Sequence, residues 1–478
     1  MPIAFDNSYA RLPDRFFARL DPTPVAEPKL VKLNRDLARD LGIDPAELET
    51  EAAVAALAGN GALPGTEPLA MAYAGHQFGG WSGQLGDGRA LLLGEVVDGN
   101  GQRRDIQLKG SGPTPFSRSG DGRAPLGPVI REYVVSEAMH RLGVPTTRAL
   151  AAVATGEPVY REAMLPGGVL TRVAASHIRV GTFQFFGAQR DREALRLLTE
   201  HALARHYPDR AEQGARGILD AVVEAQAALV AKWMGLGFIH GVMNTDNMTI
   251  SGETIDFGPC AFMEGYEADK VFSSIDQFGR YAYNNQPQIA QWNLAQLAVS
   301  LIPLLGETEE AGVEQAKAAL DRYPDLFSAA RRAEMRAKFA LIDEADGDDD
   351  LIGGYLTMMA ETQADYTLSF RHLAEAAEGD GAPLTEVLQH RDLEPWLASW
   401  RARLGADAPD RLRAANPLYI PRNHLVEEAI AAAYQDDFGP FETLVAVLDR
   451  PFDAQSGQSR FAAPATPEEA VTRTFCGT

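Results

Sequence analysis

With 478 residues, 45% of them apolar and 23% charged, the chain can bury a large core and is composed like a globular enzyme of two lobes or domains. Its formal net charge is −22, from 44 basic and 66 acidic residues. That balance excludes nucleic acid and anionic membrane as expected partners, and basic residues must be gathered locally wherever an anionic nucleotide binds. Two cysteines exclude a disulfide framework. The opening Met1-Pro2-Ile3-Ala4-Phe5 has no leader pattern, and the longest apolar run, 294–305, is interrupted by Pro303. A cytoplasmic protein is expected.

Residues 1–65 read as a helical, proline-punctuated extension, with helices over 31–41 and 45–57 and no motif chemistry. From 66 the pattern changes to short apolar runs broken by glycine, and 90–97, 105–109, 149–155 and 169–174 each fit a strand. Gln84-Leu85-Gly86-Asp87-Gly88-Arg89 precedes the first of these strands. Glycines there would let the backbone approach phosphates without a Cβ clash, although a plain hairpin turn has the same composition. Along Asp105-Ile106-Gln107-Leu108-Lys109, period two sets Ile106 and Leu108 on one face and Lys109 on the other. A second glycine-rich turn, Ser119-Gly120-Asp121-Gly122-Arg123, leads to a helix over 127–142. Pro128 suits its first turn, Gly143 suits the position past its end, and it carries Glu132. Arg172 and Arg179 follow; a guanidinium grips phosphate with two donors, but solvated surface arginines fit the sequence equally.

After 176 the chain is mainly helical, with an amphipathic helix over 218–234 and others over 288–305, 312–321, 327–342, 351–375, 384–404 and 422–434. The acidic run 343–350 reads as a solvated loop, because Gly347 would make Ile342 the first ligand of a calcium loop.

The strongest signal is His240-Gly241-Val242-Met243-Asn244-Thr245-Asp246-Asn247, followed by Asp256-Phe257-Gly258, with short strands expected at 248–250 and 254–255. Kinase-type phosphotransferases carry an Asp just after this His-x pair as proton acceptor. An Asn further on and the Asp of Asp-Phe-Gly hold the metal. Asn247 and Asp256 stand in register for that role, one amide and one carboxylate for a hard cation bridging phosphates. The base position, however, is Val242, whose isopropyl group accepts no proton. A strand Lys109 followed by a helix Glu132 repeats the order of the kinase ion pair. The expected fold is α+β and protein-kinase-like: a small β-rich N-lobe over 66–175, a large helical C-lobe over 176–340, and helical extensions over 1–65 and 341–478. His390-Arg391-Asp392-Leu393 imitates a catalytic loop but has Leu397 where the Asn belongs, and is rejected.

The chain resembles the selenoprotein O family, kinase-fold proteins that transfer a nucleotide, over nearly its whole length. The matching motifs are Tyr73-Ala74-Gly75-His76-Gln77-Phe78-Gly79, Leu85-Gly86-Asp87-Gly88-Arg89, Lys109-Gly110-Ser111-Gly112, Asp121-Gly122-Arg123, Asn244-Thr245-Asp246-Asn247-Met248, Asp256-Phe257-Gly258-Pro259, Asn284-Asn285-Gln286-Pro287 and Tyr419-Ile420-Pro421-Arg422-Asn423. The resemblance implies ATP held flipped relative to a kinase, with its α-phosphate toward the acceptor. It makes Gly86, Gly88, Arg89, Lys109, Asp121, Gly122, Arg172, Arg179 and Asp256 nucleotide contacts. Asn247 and Asp256 would be ligands of Mg2+ or Mn2+, Asp246 the proton acceptor, and Glu132 the support of Lys109.

The implied activity is AMP transfer from ATP to Ser, Thr or Tyr hydroxyls of target proteins, with UMP transfer from UTP and manganese as an alternative. An ordinary kinase is opposed by Val242, and an ATP-binding pseudokinase scaffold by the intact Lys109, Asn247 and Asp256. Cys476 stands where eukaryotic members carry selenocysteine. A redox-dependent bond from Cys476 to Cys260 would fold the tail over the site; a buried Cys260 with an incidental tail thiol is the other reading.

Overall fold

Polar and apolar residues alternate along Arg103–Lys109, so the strand must separate two environments. In the computed structural model, which describes residues 3–475, it is a central strand of an eight-stranded antiparallel sheet. In chain order the strands are β1 (Phe17–Arg19), β2 (Lys29–Leu33), β3 (Leu69–Met71), β4 (Gly75–Gln77), β5 (Gly80–Ser82), β6 (Ala90–Val97), β7 (Arg103–Lys109), β8 (Ala124–Pro125), β9 (Arg148–Tyr160) and β10 (Met164–Ala174). The sheet runs β1-β3-β6-β7-β10-β9-β2, with β8 added against β10, while β4 and β5 form a separate hairpin. A further pair, β11 (Phe238–Ile239) and β12 (Ala261–Phe262), lies in the second half of the chain.

On one face of the sheet, Ile106, Leu108, Val169 and Val173 join a core with Leu37, Leu41, Leu48 and Leu57. Leu37, Leu48 and Leu57 come from helices Arg35–Asp40, Pro45–Leu48 and Glu51–Ala58, each started by a side-chain cap (Asn34, Asp44 and Thr50), and Leu41 follows the end of the first. On the other face Ala152 and Leu170 pack with Val129, Ile130 and Tyr133 of helix Leu126–Arg141. Period two therefore turns Gln107, Lys109 and Arg172 toward the helix that carries Glu132.

Several expectations need correction. Residues 1–65 are not purely helical, because Phe17–Arg19 and Lys29–Leu33 are strands and the helix read over 31–41 begins only at Arg35. The helices read over 351–375 and 384–404 are each broken. Left-handed Gln363 (φ 50°) ends Asp348–Thr362 and left-handed Gln389 (φ 48°) ends Ala382–Leu388. In the acidic run, Asp348 is buried between Arg336 and Arg403, not solvated. Residues 248–250 and 254–255 form single bridges, Thr249 to Arg179 and Thr254 to Thr146, instead of a hairpin of their own.

Outside the loop-rich stretch 236–285, the chain beyond Val180 is mainly helical, and Gly214–Gly235, Gln286–Leu305 and Tyr323–Lys338 build its centre. The C-terminal helix Asn423–Ala433 packs on Leu126–Arg141, so the last part of the chain supports the first. Arg422, fully buried at its start, binds Asp365 at 2.8 and 3.2 Å and Glu264 at 3.2 Å, and donates to the Ala462 carbonyl at 2.7 and 3.0 Å. Arg422→Met leaves the covered Asp365 carboxylate uncompensated and is expected to cost about 3–5 kcal/mol in urea denaturation. The double variant Arg422→Met/Asp365→Asn should recover part of that loss, since the two residues share one interaction.

Candidate active site

Helix Gly214–Gly235 delivers the chain through β11 to His240, which is buried and fixes the loop that follows. Its backbone N–H donates to Gln286 Oε1 at 3.0 Å and its Nε2 donates to the Ile255 carbonyl at 2.9 Å. Burial holds the imidazole below its ordinary pKa, so it is neutral and tethers both ends of the loop. Asn247 donates its amide N–H to the Val242 carbonyl at 3.0 Å, which leaves the amide oxygen as the atom that could face a cation. Val242 itself is buried.

Asp256 adopts φ +65°, a left-handed conformation that is sparsely populated for a residue with a Cβ. The conformation is held by three cations. Lys109 Nζ lies 2.6 Å from Asp256 Oδ1, Arg172 Nη1 2.9 Å from the same oxygen, and Arg179 Nη1 3.2 Å from Oδ2. Burial alone would raise the Asp256 carboxyl; the three cations together hold it well below the usual carboxylate range. Glu132 shares the load, 2.6 Å from Lys109 Nζ and 3.1 Å from Arg172 Nη1. Gln107 Oε1 accepts from Arg172 Nε at 3.2 Å and Nη2 at 2.7 Å, so the register partner of Arg172 on β7 aims the guanidinium.

Arg179 is buried, stacks over the Tyr73 ring at 4.6 Å and donates to the Asp246 carbonyl at 2.8 Å. Asp87 lies 3.7 Å from its other end and accepts from Met71 N–H at 3.1 Å and Gln107 Nε2 at 3.2 Å. Asp246 is buried, and burial pushes its carboxyl up to about 6 against the pull of Arg179. One oxygen, Oδ2, accepts from Gln77 Nε2 at 3.1 Å, while Oδ1 has no hydrogen-bond partner. Gly75 makes this approach possible: a Cβ there would come within 3.0 Å of Asp246 Oδ1 and Thr245 Oγ1.

These groups surround one cleft of about 480 Å³. Gly86, Gly88, Arg89, Lys109, Asp121, Gly122, Glu132, Arg172, Arg179, Asp246, Asn247 and Asp256 all line it. Both glycine-rich turns pack against the segment between them: a Cβ on Gly86 (φ +82°) would lie 2.4 Å from the Phe116 ring, and one on Gly122 (φ +66°) 2.1 Å from Gly112. Asp121 sits at the rim, paired with Arg161 at 2.8 and 3.0 Å. The donor set near Asp256 is one carboxylate and one amide oxygen, and no cluster of three or more His, Cys, Asp or Glu suited to a metal occurs among the described residues. Two hard oxygen ligands fit a Mg2+ or Mn2+ ion that completes its shell with phosphate oxygens and water.

The family model described as protein adenylyltransferase SelO matches residues 1–449. The chain belongs to this family. It is 58% identical to the protein nucleotidyltransferase YdiU of Bradyrhizobium sp. strain BTAi1, over 99% of both chains. The YdiU of Rhizobium rhizogenes is 57% identical over 100% of this chain and 97% of that protein, and that of Rhizobium meliloti 58% over 99% of both. The chain is thus an enzyme of the nucleotidyltransferase class, acting on a nucleotide and a protein. No helix among the described residues is long and apolar enough to cross a membrane.

Other side chains belong to the site without having been singled out. Gln107 alternates with Lys109 along β7 and so shares its face of the sheet. Tyr73 and Gln77 lie in the family motif, but their contacts join segments remote in sequence. Cys260 is buried beneath the Phe257 carbonyl, 3.5 Å from its Sγ. Cys476 lies outside the described residues; the chain reaches Thr474, which bonds the Phe272 carbonyl at 2.8 Å through its N–H and the Pro259 carbonyl at 2.5 Å through its hydroxyl. His390-Arg391-Asp392 forms an exposed turn between two helices, away from the cleft.

Glu253 braces the segment between Asn247 and Asp256, accepting from Ala175 N–H at 2.8 Å and Ser251 Oγ at 3.1 Å. Burial pushes its carboxyl up to about 7, partly opposed by the Ala175 N–H and by Arg104. Its folded pKa is above its unfolded value, so the folded state binds the extra proton. The contribution is complete below the unfolded pKa and is lost as pH rises through 7. Glu253→Gln is expected to flatten this dependence, so the gap between melting temperatures at pH 5.5 and pH 8.5 should be smaller in the variant than in the wild type.

Proposed function

We propose that the protein transfers AMP from ATP to Ser, Thr or Tyr hydroxyls of target proteins and releases pyrophosphate. The body is read as protein-kinase-like, with an N-lobe over 66–175, a C-lobe over 176–340 and extensions over 1–65 and 341–478. The observation that carries the proposal is the exchange of roles in one loop. The side chain at the usual base position, Val242, is apolar and buried, while Asp246 lines the cleft with a carboxylate that accepts from Gln77 at Oδ2 and keeps its other oxygen buried without a hydrogen bond.

On this reading Lys109, Arg172 and Arg179 grip the phosphates, and the glycine turns at Gly86, Gly88 and Gly122 let backbone approach them, with Arg89 and Asp121 at the edge. Glu132 keeps Lys109 aimed. Asn247 and Asp256 would hold Mg2+ or Mn2+, which when bound supplies charge neutralisation for the triphosphate. The acceptor oxygen attacks the α-phosphorus, its proton passes to Asp246, and the bond between the α-phosphorus and the bridging oxygen to the β-phosphate breaks. The pyrophosphate leaves with that bond's electron pair, facing the three cations. Cytoplasmic location is part of the same reading, and a linked peptide in an oxidised peptide map separates a tail bond from Cys476 to Cys260 from a buried Cys260 with an incidental tail thiol.

With α-labelled ATP, label is expected on target protein, and with γ-labelled ATP none. Asp246→Asn should lower the rate by about 10²–10⁴-fold, the usual weight of a positioned base, and Asp256→Ala should abolish transfer. Parallel reactions with UTP, under magnesium and then manganese, separate AMP from UMP transfer. Undiminished α-label incorporation by Asp256→Ala, or transfer of γ-label, overturns the assignment.

A further inference from the structure

Three large apolar side chains are exposed around one side of the cleft mouth, Phe278 at 95%, Ile275 at 49% and Phe78 at 38%, and Trp81, at 47%, packs on the nearby His76 ring. In a chain with a net charge of −22, such a gathering marks an interaction surface. Phe78, Ile275 and Phe278 line a groove of about 580 Å³, and Phe78 and Ile275 also line the nucleotide cleft, so the two spaces are continuous.

The groove is built, not incidental. Phe78 sits at φ +51°, held there by its N–H donating to Asn244 Oδ1 at 3.0 Å and to the Tyr281 hydroxyl at 3.1 Å. Tyr281 in turn donates to Asn244 Oδ1 at 2.6 Å. Asn244 stands two residues before Asp246, and Gln77, beside Phe78, binds the Asp246 carboxylate. The wall of the groove and the proposed base are therefore one hydrogen-bonded unit.

The floor carries a cation. Arg280 stacks over Trp292 at 4.9 Å and Tyr281 at 5.8 Å, it pairs with no carboxylate among the described residues, and its Nε is buried without a hydrogen bond.

We propose that this groove docks the acceptor polypeptide as an extended segment. Its hydroxyl residue reaches Asp246, a large apolar side chain a few residues away packs on Phe78 and Phe278, and one carboxylate meets Arg280. The proposal rests on the activity proposed above. The continuity of groove and cleft selects this occupant, because a hydroxyl must enter beside Asp246 while the glycine turns and cations occupy the nucleotide side. An extended chain advances roughly 3.3 Å per residue, so neighbours of the acceptor necessarily lie along this wall. The overall negative charge disfavours a uniformly acidic partner, which confines the acid to one position.

The test uses fluorescein-labelled peptides with one central Tyr in an alanine–glycine background: one with two flanking Leu and one Asp, one with the Asp changed to Lys, and one with neither. Binding to the full-length protein is read by fluorescence anisotropy, with Mg2+ and α,β-methylene ATP present so that no transfer occurs. The Leu–Asp peptide is expected to bind at least about tenfold more tightly than the plain one, in line with burial of one or two leucines. Phe278→Asp should remove most of that preference, and Arg280→Glu should reverse the choice between Asp and Lys, both with unchanged melting temperature. Equal binding of the three peptides, or a preference that survives Phe278→Asp, overturns the proposal. A concentration-dependent dimer in sedimentation that Phe278→Asp dissolves also overturns it, by assigning the groove to a second copy. Peptide docking through the groove without any AMP transfer would sink the activity instead. AMP transfer with indiscriminate docking would sink the groove alone.

Discussion

Three cationic side chains converge on one carboxylate, and much of the surrounding architecture follows from keeping them there. Two like charges about 4 Å apart repel by roughly 4 kcal/mol at an effective dielectric constant near 20, so Arg172, Arg179 and Lys109 can be held together only by interposed anions. Asp256 touches all three, Glu132 touches Lys109 and Arg172, and Asp87 lies at the far end of Arg179. The cations come from β7, from β10 and from the residue after the β10 turn, the anions from helix Leu126–Arg141 and two loops. No single element could supply the arrangement, and removing any one member leaves a covered charge without its complement.

That dependence on several elements explains what could be read from the residues in order and what could not. Lys109 and Glu132 were legible because each lies on a regular element whose period states its direction. The residues around Arg172 and Arg179 do not state their burial, since a guanidinium is covered by what packs over it, and here that is Gln107, Tyr73 and Asp256 from distant segments. The short strands Phe17–Arg19 and Leu69–Met71 hold too few residues to display a period. The breaks after Thr362 and Leu388 fall on glutamines in the left-handed region, with neither glycine nor proline to announce them. Asp348 belongs to a run of acids that looks solvated, and only Arg336 and Arg403 folding over it bring it inside.

The C-terminal helices would seem remote from this centre, yet they clamp it. Asn423 donates to the Phe262 carbonyl at 3.0 Å, on the strand that follows the Asp256 turn. On the next turn of that helix Glu427 pairs with Arg131, the neighbour of Glu132, and Arg131 reaches the Cys260 carbonyl at 3.5 Å. The helix that aims Lys109 and the segment that carries Asp256 are thus cross-braced by residues from the last fifth of the chain. Without that brace Glu132 and Asp256 would be positioned independently, and their shared hold on Lys109 would have no fixed geometry.

The loop from His240 to Asn247 is fixed by contacts of the same kind. A loop could lose its base at position 242 and simply become inert, with a solvated or collapsed turn in its place. Here the loop is held in place: Asn247 spans back to the Val242 carbonyl, His240 ties the Ile255 carbonyl, and Arg179 binds the Asp246 carbonyl. Room for the Asp246 side chain is made by Gly75, and Gly181 lets the opposite helix close in, since a Cβ there would lie 2.2 Å from the Ala74 carbonyl. A buried carboxylate oxygen without a partner is costly to maintain and would be displaced or protonated if nothing used it. In Asp246 that oxygen is set against Gly75, and its cost shows in a carboxyl that burial raises to about 6, nearer to neutrality than an exposed aspartate.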